Sequence, residues 1–359
     1  MRACRRETPP PTPSRKGRGS SVFAFGFVAV ATAASSLSAG TLGLASLRRV
    51  LGSQEAVLFA VLVLLFVVVG AINPRFLAER NLESILLGNA YVAVAAIGMS
   101  MLIVSGNIDI SVGSLIGVLA TISGSLAVAG FPVAVSWVVP VIASIAVMLV
   151  IGFMVAYLRI PSIVVTLGML SILKGGLISA TGGTWISDMP PGYHLAQNEF
   201  LGIPVPIFFM VGLTVLAALW MRYSAAGRAI YAVGGNAEAA RLSGISRERT
   251  LMMVFAIHGL FVGIASVLFA TQLSIIQSTV PPNLELSIIT ASVVGGVSIL
   301  GGTGTVIGST LAAVLIAAIG SSLIFISVSP YWLRAVQGVL ILLTVLADLM
   351  RRRRRAVRR

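Results

Sequence analysis

From residue 55 onward the chain alternates long apolar runs with short polar breaks. Ten hydrophobic stretches can be counted, at 55–72, 85–104, 111–129, 133–157, 162–181, 203–221, 251–271, 286–300, 304–327 and 331–350. A helix needs about 20 apolar residues to cross the hydrocarbon core. The pattern therefore predicts about ten membrane helices, with 286–300 too short to cross alone. Polar residues also break the runs near 105–111 and 295–305, and two connections, 182–202 and 222–249, are long.

Composition fixes the class. Hydrophobic residues make up 57% of the chain and charged residues 10%, whereas a soluble domain carries about 25% charged residues. Such a chain cannot cover itself for water, and the reading is an all-α polytopic membrane protein. The 37 glycines suit spans that pack closely. Cys4 is the only cysteine, and His194 and His258 are far apart. Neither a disulfide framework nor a metal site is expected.

Charge then orients the spans. The net charge of +14 is clustered: six basic residues in Arg2–Arg18, then Arg48, Arg49 and Arg159, five arginines in 222–249, and seven in Arg351–Arg359. Ten spans with both termini cytoplasmic put all of these inside. Outside fall Arg75, Arg80 and Arg334, while Lys174 lies within a span and can snorkel outward. The basic runs adjoin spans, where anionic lipid attracts them, and aromatics are not interleaved with the arginines as a nucleic-acid platform requires. The bilayer is an expected partner and nucleic acid is not. Residues 1–47 read as an N-terminal extension, basic and of disordered composition at first, then apolar. An extra span, a cleaved signal and sequence upstream of the true start all stay open for it. Residues 48–350 form the transmembrane domain and 351–359 a basic cytoplasmic tail.

Three polar features interrupt this scaffold. In 222–249, Asn236 is a good N-cap and Gly244 a good left-handed stop, which predicts a helix of about two turns between them. It carries a Glu238/Arg241 pair and a small-residue face of Ala237 and Ala240, and reads as built to lie against something else. In 105–114, Asp109 and Ser111 can cap a helix that starts near Val112. Asp109 is either a structural cap at a sharp turn or a carboxylate lining a path. From Glu285 to Ser309 the glycines Gly295, Gly296, Gly301, Gly302 and Gly304 allow tight turns and close helix approach. Gly106 to Gly113-Ser114 and Gly301 to Gly308-Ser309 share one spacing, which suggests an internal two-fold repeat. The outer loop 182–202 is long and polar enough to meet a partner, or is a solvated turn with interfacial aromatics.

No nucleophile–base pair, carboxylate dyad or His-centred triad emerges, and His258, inside an apolar helix, reads as a packed, hydrogen-bonded residue. No Gly-x-x-x-x-Gly-Lys-(Ser/Thr) loop is present, so ATP is not bound by that motif. The expectation is a non-enzyme without cofactors.

The run Gly234-Gly235-Asn236-Ala237-Glu238-Ala239-Ala240-Arg241-Leu242-Ser243-Gly244-Ile245 resembles the coupling segment of permease subunits of bacterial ABC sugar importers, the ribose-type branch. Gly106 and Asp109 to Ser114 (with Ser111 and Gly113) resemble that family's Gly-x-Asp-(Leu/Ile)-Ser-Val-Gly-Ser signature, with Asn107 between Gly106 and Ile108. Glu285 to Gly304 resembles its Gly-rich block, but Ser287 stands where Asp is frequent, and Thr303 and Thr305 where Lys or Arg often occurs. The resemblance spans about Arg48 to Asp348. It implies a permease subunit of the bacterial inner membrane that moves a monosaccharide by alternating access, with ATP hydrolysed on a partner that grips Gly234–Ile245. The implied partners are an ATPase with duplicated nucleotide-binding halves, a periplasmic or lipid-tethered sugar-binding protein, and a second permease copy or homologue. A neutral sugar needs hydrogen-bonding groups along its path, and Asn89, Ser100, Thr271, Gln272, Gln277 and Asn283 are the candidates. An ion-coupled secondary transporter is the alternative; it requires ionisable residues in mid-span, where only Lys174 and Asp109 stand.

Overall fold

Each of the ten apolar stretches nucleates one helix in the computed structural model, which describes residues 54–357. Helix α1 is Gln54–Ile72 and is followed by a 3₁₀ turn at Pro74–Leu77. Then come α2 (Glu79–Val104), α3 (Val112–Val128), α4 (Val133–Ala156), α5 (Ser162–Thr181) and α6 (Val205–Tyr223). Two cross-connecting helices follow, α7 (Ala225–Gly235) and α8 (Ala237–Leu242). The chain closes with α9 (Arg247–Gln272), α10 (Leu284–Val294), α11 (Val306–Phe325) and α12 (Trp332–Val357). Eight of these are long and apolar enough to cross a membrane, whereas α3 and α10 are shorter. The count of about ten crossings is thus refined to eight full-length helices and two short ones beside non-helical backbone. The N-terminal extension 1–47 lies outside the described residues.

The helices sort into an inner group and an outer ring. Helix α2 buries every residue from Val92 to Val104, and α9 and α11 bury long faces against it. By contrast α1, α5, α6 and α12 leave Leu, Ile, Val and Phe side chains exposed along their length. In water such surfaces would aggregate; in a bilayer they are the lipid-facing side. Small residues set the inner spacing: a Cβ on Gly98 would lie 2.9 Å from the Phe261 Cβ, and one on Gly263 would lie 2.6 Å from the Val141 Cα. Backbones this close gain van der Waals contact that lipid cannot replace.

Contacts between connections fall at two opposite ends of the bundle. At one end the backbone N–H of Gly302 donates to Val104 O (2.8 Å) and the Tyr231 hydroxyl to Gly304 O (2.8 Å). At the other, β1 (Trp185–Ile186) pairs antiparallel with β4 (Ile276–Gln277), and Asn73 Nδ2 donates to Phe325 O (3.0 Å). A second two-residue hairpin joins β2 (Glu199–Phe200) to β3 (Ile203–Pro204) in the long loop after α5. That loop is anchored by Tyr193, fully buried, whose hydroxyl lies 2.8 Å from Ser123 Oγ. Burial pushes the Tyr193 phenol up to about 12, with the Ser123 bond opposing, so it remains a neutral hydrogen-bonding post.

Candidate coupling junction and pathway

The 222–249 connection is built from consecutive caps. The Ser224 hydroxyl accepts from Gly227 N (2.8 Å) and starts α7; Asn236, in extended backbone, ends α7 and starts α8, its Oδ1 accepting from Glu238 N (3.1 Å) and Ala239 N (3.0 Å). Gly244 has φ +82° and turns the chain away, and Ser246 caps α9 by accepting from Arg249 N. Glu238 and Arg241 form the expected pair at 2.7 Å, both exposed. Helix α7 is an addition to the sequence reading. The orientation of α8 also departs from the expected small-residue face: Ala240 turns inward at 4% exposure, while Leu242 stands 77% exposed beside Ala239. Ile245 N closes back on Ala240 O (3.0 Å), which fixes that rotation, and Ser243 donates to Ala239 O.

Behind α7 the three glycine-bearing motifs meet. A side chain on Gly234 would collide with the carbonyl of Val104, the last residue of α2. A Cβ on Gly301 would sit 2.8 Å from Gly234 O and 3.1 Å from the Cα of Gly106; one on Gly302 would sit 2.6 Å from the Cα of Gly235. Gly106, Gly301 and Gly302 all have positive φ, so both space and conformation demand glycine there. Burial raises the pKa of Tyr231, which keeps its proton on the bond to Gly304 O. The end of α7, the end of α2 and the Gly-rich loop therefore form one backbone-to-backbone joint. Gly304 packs on Val297, and Gly295 on Gly308 and Ser309, which folds the loop on itself. Gly296 packs on the Gln54 side chain. Thr305 caps α11 by accepting from Gly308 N and donates to Glu55 Oε1 (2.6 Å).

Asp109 and Ser111 do not cap α3, contrary to expectation. Ser111 occupies the N-cap position, but its hydroxyl and backbone N–H both donate to Asp109 Oδ1 (2.6 and 2.7 Å). The other carboxylate oxygen lies 3.1 Å from His258 Nε2 on α9. Both side chains are fully buried. With its oxygens engaged by Ser111 and the His258 ring, the Asp109 side chain is held away from the first-turn amides of α3. His258 is the packed, hydrogen-bonded residue its surroundings predict, with Asp109 as the partner that its place in the sequence did not disclose. At the start of α3, Ser114 is buried and Gly113 lies against Glu285, the first turn of α10, so the two short helices begin side by side.

The six pathway candidates are not brought together. Ser100 and Thr271 are buried and spend their hydroxyls on Ile97 O and Val267 O of their own helices. Gln277 is exposed in β4, and Gln272 lies near Gly88 at the end of α9. Asn283, at φ +59°, accepts from Arg334 Nη2 (3.0 Å) and Nε (3.1 Å) once its amide is turned to face them. Asn89 lines a cavity of about 310 Å³, beside Gln337, which sequence reasoning missed, and Gln277 lines a separate one of about 270 Å³.

A membrane bundle with two short inner helices beside non-helical backbone and a capped, arginine-rich elbow has the architecture of a transport permease. Residues 81–345 match the family described as branched-chain amino acid transport system / permease component, and the chain belongs to that family. It is a multi-pass permease component of an ABC import system, a class that works with an ATPase and a substrate-binding protein. It is similar to the autoinducer 2 import system permease protein LsrC of Salmonella typhi, 34% identical over 303 residues, which are 84% of this chain and 87% of the relative. The same protein of Yersinia pestis (strain Pestoides F) is 32% identical over 303 residues, 84% of this chain and 86% of the relative. No solved structure matches significantly. The family assignment decides against the ion-coupled alternative.

Proposed function

We propose that this chain is the gate of a bacterial importer for a monosaccharide or a comparably small, neutral, hydroxyl-bearing solute, driven by a separate ATPase that engages α8. The observation that carries the proposal is the joint at Gly234, Gly302 and Val104: a push on α8 reaches the end of α2 and the Gly-rich loop through backbone alone, with no flexible side chain between. Rigid transmission is what a two-state, nucleotide-biased gate requires. The docking face is Leu242 and Ala239 with the Glu238/Arg241 pair at its side. Residues 48–350 are the permease domain and 351–359 a cytoplasmic tail, both termini lie in the cytoplasm, and a second permease subunit completes the pore. The ATPase has duplicated nucleotide-binding halves, and the binding protein is periplasmic or lipid-tethered.

A second substrate reading, autoinducer 2 itself, rests on the relatives' names. Leu242→Asp and Ala239→Arg replace exposed side chains and leave membrane insertion intact. Each should abolish ATPase co-purification and ATP-dependent uptake of D-ribose, D-xylose or autoinducer 2, whichever the assembled system takes up. Undiminished co-purification and uptake in both variants would refute the docking face.

A further inference from the structure

Between α2, α10, α11 and α12 lies a cavity of about 310 Å³, remote from the coupling joint, with a lining unusual for membrane-embedded protein. Six of its side chains are polar and none is charged: Asn81, Ser84, Asn89, Ser287, Ser321 and Gln337. The rest of the wall is aliphatic apart from Phe325. Gln337 is the most telling member. Helix α12 faces outward along almost its whole span, yet it turns this one amide inward at 3% exposure. An amide placed there must find partners, because hydrocarbon offers none.

The protein supplies only part of that demand. Gln337 Nε2 donates to Ser287 Oγ (3.2 Å), Ser321 Oγ to Asn81 Oδ1 (2.9 Å), and Asn89 Nδ2 to Ile85 O at 3.4 Å, a long bond. Among the described residues, Ser84 Oγ, Asn89 Oδ1 and Gln337 Oε1 find no protein partner and are left for whatever fills the space. We propose that this cavity is a binding station for the transported solute, a neutral polyol of monosaccharide size. The volume equals about ten water molecules at ~30 Å³ each, enough for a sugar ring with a few waters. Acceptor and donor atoms on several walls suit hydroxyls, which both donate and accept. Aliphatic walls and Phe325 suit the C–H faces of the ring. An amino acid zwitterion is disfavoured, since no carboxylate lines the cavity to meet its ammonium group. The inference rests on the import reading above and names where within this chain the solute pauses.

The test uses the full-length chain with Cys4→Ser, so that Ser321→Cys introduces its only thiol. Labelling of that thiol by a small neutral maleimide is followed with D-ribose, D-xylose, L-rhamnose or L-leucine present. At least one sugar should slow labelling several-fold, L-leucine should not, and Gln337→Leu should remove the protection. Labelling unaffected by every sugar, protection by L-leucine, or a thiol that never reacts would each overturn the station. Uptake by the assembled transporter separates this from the broader reading. If uptake requires the ATPase partner but is unchanged in Asn89→Ala and Gln337→Leu, the station falls and the importer stands. If uptake continues without the ATPase, the importer reading falls instead.

Discussion

The Asp109 side chain is fully buried, and its three hydrogen-bond partners are Ser111 N–H, Ser111 O–H and the His258 ring. Removing one partner of a buried hydrogen-bonded pair costs more than the pair itself contributes, about 1–3 kcal/mol, because the remaining polar group is left unsatisfied. His258→Phe should therefore lower the melting temperature of the solubilised protein sharply. Asp109→Asn should be mild, since the amide oxygen still accepts from Ser111 and its NH₂ can donate to the ring. The double variant Asp109→Leu/His258→Phe should recover much of the loss. A stability series in which Asp109→Asn is the most damaging would show that the charge itself, rather than the hydrogen bonds, holds the re-entrant segment. Neither half of this pair announced the other: they lie 149 positions apart, and only the packing of 105–111 against α9 unites them.

At the scale of single elements, α8 was legible and α7 was not. A six-residue helix cannot sustain itself in water, so its local signals, the Asn236 cap and the Gly244 stop, had to be strong and were readable. Losing the cap should cost about 1 kcal/mol. Asn236→Ala should reduce transport by fraying α8, and Asn236→Asp should preserve it, as an uptake assay on matched expression levels will register. Helix α7 ends in Gly234-Gly235, residues of low helix propensity, and its reason for being helical is tertiary: the glycines let it touch α2. The same gap explains the pathway candidates. Polar identity does not reveal which way a side chain points, so Ser100 and Thr271 proved to be satisfied within their own helices while Gln337 went unnoticed. Gly234→Ala should abolish folding or transport by forcing α7 off Val104, whereas Gly168→Ala and Gly212→Ala, which meet open space, should be tolerated. Comparing surface expression and uptake of the three variants checks that the joint, and not glycine content in general, is what matters.

For the whole molecule, the even alternation of apolar stretches already ordered the connections into two sets, and the bundle's end-to-end contacts respect that division. Val104, Tyr231, Gly302 and Gly304 meet at one end, and Asn73, Trp185, Gln277 and Phe325 at the other. What alternation cannot supply is which end faces the cytoplasm, and there charge speaks. The elbow end carries Arg159, Arg222, Arg228, Arg241, Arg247 and Arg249, against Arg75, Arg80 and Arg334 beside Asp188 and Glu199 at the other, so the proposed orientation, with the elbow in the cytoplasm, follows the positive-inside bias. In the Cys4→Ser background, Ser187→Cys in the long loop should react with an impermeant thiol reagent in intact cells. Ala237→Cys on the elbow should react only after the membrane is opened. Both side chains belong to parts of the surface where a small thiol costs no packing, so insertion should be unaffected. The reverse labelling would turn the whole bundle over, put α8 beyond the reach of any cytoplasmic ATPase, and remove the coupling proposal. Labelling of both cysteines in intact cells would mean that the chain inserts in two orientations, and that the charge bias between the two ends is too weak to choose between them.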